Sequence, residues 1–260
     1  MTRRTTPWPA GVPCWVDLAS TDVEAAKQLY AAVLGWEFED QGSEYGGYVM
    51  CRVDGGDAAG IGPVQEGAPP AWTLYFASDD ADATAQTVTK AGGRILAEPF
   101  DVGTLGRMLI AADPGGAAFG VWQAFDHLGA SHVNEPGGLN WEDLSVPDPD
   151  AARAFYGEVF GLVYEELDGG PPGYQLFKRP DEPWPLGGMG GLATDAYPSW
   201  LPYFCVYDTD AAVAAAKDNG GSVLQEAQDS EFGRQAVLAD ADGAVFSVIQ
   251  AIPDAPQPDR

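Results

Sequence analysis

Two periods of hydrophobic and polar residues alternate along the chain, and they predict short strands interrupted by amphipathic helices. The segment CWVDLA, from Cys14 to Ala19, alternates with period two and reads as a strand with one buried face. It runs into STDVEAAKQLYAAVLG, where Ala26, Leu29, Tyr30 and Val33 recur at helical spacing. Thr21 and Glu24 have the spacing of a capping box, and Gly35 stands where a left-handed residue closes a helix. Strands are expected around Tyr48–Val53 and through Trp72–Phe76, followed by a helix that ends at Gly92-Gly93. GRMLIAADPGGAAFGVWQ then reads as two strands joined by an Asp-Pro-Gly-Gly turn.

The same words return in the second half of the chain. Trp15, Asp22, Tyr30 and Gly35 match Trp141, Asp148, Tyr156 and Gly161, each 126 positions on. WTLYF from Trp72 matches WLPYF from Trp200, and Gly92-Gly93 matches Gly220-Gly221, at an offset of 128. Gly106, Arg107, Asp113, Gly116, Phe119 and Gln123 match Gly233, Arg234, Asp240, Gly243, Phe246 and Gln250 at 127. So many ordered matches with so little drift establish a duplication with small loop insertions. Each half parses into two βαβββ units, four in the chain. The expected organisation is a disordered arm over 1–12, a first domain over 13–124, a polar linker over 125–138, a second domain over 139–252 and a tail over 253–260.

Composition narrows the class of protein. Thirteen basic against 39 acidic residues give a net charge of −26, which repels nucleic acid and anionic membrane surfaces and favours cationic small molecules. The opening MTRRTTPWPAG lacks the apolar run of a signal peptide and no stretch approaches a membrane span, so a cytoplasmic protein, monomer or homodimer, is expected. Cys14, Cys51 and Cys205 are odd in number and have no CxxC spacing, which suits small buried hydrophobes rather than disulfides or a zinc ribbon.

The order of these motifs resembles the vicinal oxygen chelate superfamily of glyoxalases, bleomycin-resistance proteins and extradiol dioxygenases. The features that carry the resemblance are an acidic-capped helix ending in a Tyr and a Gly, a glycine-paired helix end and a DPxG hairpin. It spans about Pro13 to Ala251 and is strongest to tandem actinobacterial proteins linked to antibiotic pathways. It implies an α+β fold of two tandem glyoxalase-like domains, each built of two βαβββ units forming a U-shaped β cup that holds the ligand. In metal-dependent members, His or Glu occupies fixed places on the cup strands. Carried onto this chain, those places fall on Trp15, Thr73 and Gly120, and on Trp141, Leu201 and Ser247. None is a usual ligand of a transition metal. The chain's two histidines, His127 and His132, lie in the linker, where exposed or capping roles are expected. No metal and no cofactor is therefore expected.

Residues two apart on a strand share a face. The first cup should be lined by Trp15, Asp17, Thr73, Tyr75 and Trp122, and the second by Trp141, Asp143, Leu201, Tyr203 and Ile249. The tryptophans suit either core packing or a stacking platform. Asp17 and Asp143 suit a cap, a charged partner for a ligand amine, or a general acid or base. The glycine-rich stretches from Gly55 and Gly187 lack the Walker lysine and read as flexible lips over each cup. Arg107 and Arg234 read as salt-bridge partners for nearby acids.

The resulting expectation is metal-independent binding of a planar hydrophobic small molecule, an aromatic natural product or drug whose recognition a positive charge would favour. The protein would then be an accessory or sequestering protein of secondary metabolism. Two alternatives stay open. One is a cofactor-free cyclase, isomerase or hydratase using Asp17 or Asp143 as acid or base. The other is a metal-dependent glyoxalase or dioxygenase, which would need ligands absent from the mapped positions.

Overall fold

The computed structural model describes residues 4–192 and 196–251. The first half contains β1 (Pro13–Ser20), α1 (Val23–Leu34), β2 (Glu37–Asp40), β3 (Val49–Val53), β4 (Gly56–Pro63), β5 (Ala71–Ala77), α2 (Ala81–Lys90), β6 (Arg94–Val102), β7 (Gly106–Ala112) and β8 (Ala118–Ala124). The second half repeats the order with β9 (Leu139–Val146), α3 (Pro149–Phe160), β10 (Val163–Glu166), β11 (Gln175–Lys178), β12 (Gly187–Gly191), β13 (Ser199–Cys205), α4 (Thr209–Asp218), β14 (Ser222–Ser230), β15 (Gly233–Ala239) and β16 (Val245–Ala251). The four βαβββ units read from the sequence are all present. They form two eight-stranded sheets, ordered β2-β3-β4-β1-β5-β8-β7-β6 and β10-β11-β12-β9-β13-β16-β15-β14.

Local chemistry explains the elements. Each helix opens on an aspartate, Asp22, Asp80, Asp148 or Asp208, whose carboxylate accepts from a backbone N–H three residues on. The first helix therefore departs from the capping box expected at Thr21 and Glu24. Its cap is Asp22, accepting from the Ala25 N–H at 3.0 Å, while the Thr21 hydroxyl donates to Asp242. A charged acceptor at the positive end of the helix outcompetes a hydroxyl. Gly35 and Gly161 close α1 and α3 at φ 72° and 70°, a conformation costly for any residue with a Cβ.

By packing, the chain falls into two compact units that exchange pieces of the sequence repeat. One gathers residues up to Trp15 with Thr73–Gly129 and Trp141–Trp200. The other gathers Val16–Trp72, Ala130–Asn140 and residues 201–251. Inside the first, α2 packs on α3, so closely that a Cβ at Gly93 would lie 2.7 Å from the Phe155 ring. Phe76 stacks on Phe160 with ring centroids 4.5 Å apart. In its core the Trp200 indole N–H donates to the Tyr156 hydroxyl (3.0 Å), which donates to Asp113 (3.2 Å).

The second unit has the same device. Helix α1 packs on α4, the Trp72 indole donates to the Tyr30 hydroxyl (3.1 Å), and Tyr30 donates to Asp240 (3.2 Å). The Trp, Tyr and Asp repeated in sequence are thus the three members of one hydrogen-bond chain. In both units the Tyr comes from one repeat and the Asp from the other. Burial pushes both phenols well above their ordinary range and the neighbouring carboxylate pushes them further. It also raises the carboxyls of Asp113 and Asp240, against the opposing pull of their backbone and tyrosine donors.

Candidate functional site

The glycine-rich stretches are strands, not lips. β4 runs parallel to β1, pairing Asp17 with Gly60, and β12 runs parallel to β9, pairing Asp143 with Gly188. Their missing side chains make room for aromatic rings from the neighbouring strand. A Cβ on Gly188 would meet the Tyr174 hydroxyl at 1.6 Å, and one on Gly60 would meet that of Tyr48 at 1.8 Å. The rings lie over bare backbone, a known way for an aromatic to cover a strand glycine.

This arrangement brings each tyrosine to the aspartate of the adjoining strand. In the second half the Tyr174 hydroxyl donates to Asp143 Oδ1 at 2.7 Å, and the Trp141 indole donates to the same oxygen at 2.9 Å. All three side chains are half-buried. Burial raises the Tyr174 phenol, and the charge of Asp143 raises it further. In the first half the Tyr48 hydroxyl lies 3.4 Å from Asp17 Oδ2, a looser contact. Sequence reasoning missed both tyrosines, although they repeat at an offset of 126 just ahead of β3 and β11.

On the other residues of the two expected linings, the structure is uneven. Trp15, Tyr75, Trp122 and Ile249 are buried, while Thr73, Leu201 and Tyr203 are half-buried. Tyr75 lies over Gly120, where a Cβ would approach its ring to 2.1 Å, and Trp122 lies over Gly106, at 2.4 Å by the same measure. Ser247, in the place of Gly120, is buried and donates to the Ala236 carbonyl at 2.9 Å.

The linker histidines are not solvent-exposed. His132 is buried, with Nε2 2.9 Å from the Pro136 carbonyl. The half-buried His127 packs edge-on against Trp15 at 4.5 Å and Trp122 at 5.6 Å between ring centroids. The linker folds back because its backbone is satisfied by the strands it passes: Ser131 and His132 both donate N–H to the Asp57 carbonyl. Arg107 pairs with Asp82 and Asp101, and Arg234 with Asp210 and Asp229, as the sequence suggested. The three cysteines are buried free thiols. Glu142, which sequence reasoning passed over, is fully buried on the strand face opposite Asp143.

The donor chemistry does not suit a transition metal. The mapped positions present an indole, a hydroxyl, an alkyl group or no side chain, and no group of three or more His, Cys, Asp or Glu among the described residues is arranged to hold an ion. No helix among them is long and apolar enough to cross a membrane.

Comparison with known proteins places the chain in a family. Residues 14–121 match the model of the Glyoxalase/Bleomycin resistance protein/Dioxygenase superfamily, and residues 143–249 match that of a Glyoxalase-like domain. The chain belongs to this superfamily. It is 41% identical over 252 residues to "Putative glyoxylase CFP32" of Mycobacterium tuberculosis, covering 94% of this chain and 96% of that protein. It is 37% identical over 265 residues to "Anthracycline biosynthesis protein DnrV" of Streptomyces peucetius, covering 92% and 93%. Among solved structures, the Mn(II)-bound glyoxalase from Novosphingobium aromaticivorans superposes with a TM-score of 0.65 at 15% identity, over 93% of this chain and 82% of that one. The 2,3-dioxygenase LapB from Pseudomonas sp. KL28 does so with 0.65 at 13%, over 98% of both. At such identities these two structures speak for the fold alone.

Proposed function

We propose that the protein binds a planar, hydrophobic, cationic small molecule without a metal, as an accessory or sequestering protein of secondary metabolism. The observation that carries this reading is the Trp141–Asp143–Tyr174 cluster, where a carboxylate held by an indole N–H and a phenol O–H lies half-exposed beside an aromatic ring. An aromatic ligand gains from stacking on the indole. Its protonated amine would find a carboxylate already oriented to accept, in a protein whose charge of −26 draws cations in. Asp17 with Tyr48 is the weaker counterpart in the first half. The name of the relative DnrV supports a polycyclic aromatic ligand, since anthracyclines are planar and fused-ring.

A catalytic acid or base at Asp143 fits the geometry less well. Two donors on one oxygen suit an acceptor that stays charged better than a group that must exchange a proton in each turnover. The test is thermal unfolding with daunorubicin, an amine-bearing anthracycline, with and without a chelator. Stabilisation of about 2.7 kcal/mol is expected at a hundredfold excess over Kd, unchanged by chelation. Stabilisation lost with chelation, or chemical conversion of the probe seen by mass spectrometry, would overturn the reading.

A further inference from the structure

We infer that the aromatic wall of the first half is a ring-binding site occupied by the chain's own His127, so that the native protein takes ligand in the second half alone. The inference rests on the proposed function for its ligand and on separate geometry for the site. Trp15, Trp122 and His127 belong to one compact unit. The imidazole stands nearly perpendicular to both indoles, at interplanar angles of 84° and 70°, the edge-to-face geometry by which aromatic groups recognise one another. The segment is also tied by its backbone, since the Trp122 indole N–H donates to the His127 carbonyl at 2.9 Å and the His127 N–H donates to the Leu105 carbonyl at 3.0 Å.

The wall is built rather than incidental. Gly106 and Gly120 are bare where Trp122 and Tyr75 cross them, which sets the two rings flat along the sheet. With His127 in place Trp15 is 4% exposed and Trp122 is 7% exposed, so a planar ligand has no open ring face to stack on there. In the second half the equivalent of Trp15, Trp141, is half-exposed, and Ile249 replaces Trp122. One half carries the ring platform and its own ring, while the other carries the anchored carboxylate and an accessible indole.

The experiment removes the ring. His127→Gly should create a hollow of imidazole size between the two indoles, and free imidazole should then bind saturably, read by tryptophan fluorescence. Wild-type protein should give no saturable response. Daunorubicin titration, read by quenching of the probe, should give one equivalent for wild type. If the glycine variant does not fold, as judged by circular dichroism, His127→Asn keeps the backbone ties and shortens the side chain, and the same imidazole titration applies. Equal imidazole response of variant and wild type, or two daunorubicin equivalents already on wild type, would overturn the inference. If daunorubicin does not bind wild type, the ligand reading of the preceding section fails, and the imidazole arm still decides this one.

Discussion

The Tyr174 hydroxyl reaches Asp143 Oδ1 at 2.7 Å by crossing the bare backbone of Gly188, the register partner of that aspartate in the adjoining strand. Three residues therefore act together. The glycine makes the space, the tyrosine fills it, and the aspartate is oriented as a result, with Trp141 completing the acceptor's environment.

Gly188→Ala should break this arrangement while leaving the sheet intact. Its Cβ would lie 1.6 Å from the Tyr174 oxygen and 2.7 Å from Asp143 Oδ1, so the phenol must swing away. Overpacking of this kind costs about 1–3 kcal/mol. A modest fall in melting temperature together with a loss of daunorubicin affinity is expected by calorimetry. Unchanged affinity with Tyr174 displaced would show that the tyrosine does not shape the site.

Asp143→Asn should weaken binding of an amine-bearing probe by about 1.5–3 kcal/mol, the worth of a hydrogen bond to a charged group. Binding of the amine-free aglycone should barely change. Asp17→Asn should leave binding to the native protein unchanged, because Asp17, with its looser tyrosine contact at 3.4 Å, belongs to the half that takes no ligand. Isothermal titration of both variants against both probes checks the ranking.

Tyr156→Phe should cost about 1–3 kcal/mol, since it leaves Asp113 and the Trp200 indole without a shared buried partner. Tyr30→Phe should match it through Asp240 and Trp72. Burial raises both phenols above their unfolded value, so the unfolded chain releases these protons first. Stability is then lost as pH rises past about 10. Chemical denaturation at alkaline pH should show a shallower decline for each Phe variant than for wild type.

Asp113 and Asp240 have an effect of the same sign in the acid range. Burial lifts their carboxyls above the unfolded value of 3.8. Below that value both states are protonated and nothing is lost. As pH climbs through it the unfolded chain ionises first, and stability falls until the folded carboxyls follow. Asp82 and Asp210 oppose this in a separate window. Their arginine partners hold them below 3.8, so what they contribute disappears only as pH drops beneath it. In denaturant titrations from about pH 4 to about pH 7, Asp113→Asn should gain on wild type as pH rises. A constant difference across that range would contradict the assignment.

Repeats and periodicity determined the elements. The duplication, the four βαβββ units and the helix-ending glycines Gly35 and Gly161 follow from repeat and local spacing, because backbone conformation is a local property. At the first helix the spacing of Thr21 and Glu24 pointed to the wrong cap, although Asp22 stands where Asp80, Asp148 and Asp208 cap the other three, because a charged acceptor is favoured at the positive helix end.

Period two also placed Trp141 and Asp143 on one face, as their hydrogen bond shows. It did not reveal Tyr174 or Tyr48, whose role exists only because a parallel neighbour strand presents glycine beneath the ring. Those glycines read as flexible in isolation, and in the sheet they are close-approach positions. The same holds for His127, a polar linker residue by sequence that becomes an aromatic partner once the linker turns back on Trp15 and Trp122. The repeat motifs Trp, Tyr and Asp were visible one by one. That the Tyr of each repeat bonds the Asp of the other was decided by tertiary packing, because a buried phenol and carboxyl must find each other wherever the chain's compact units bring them together.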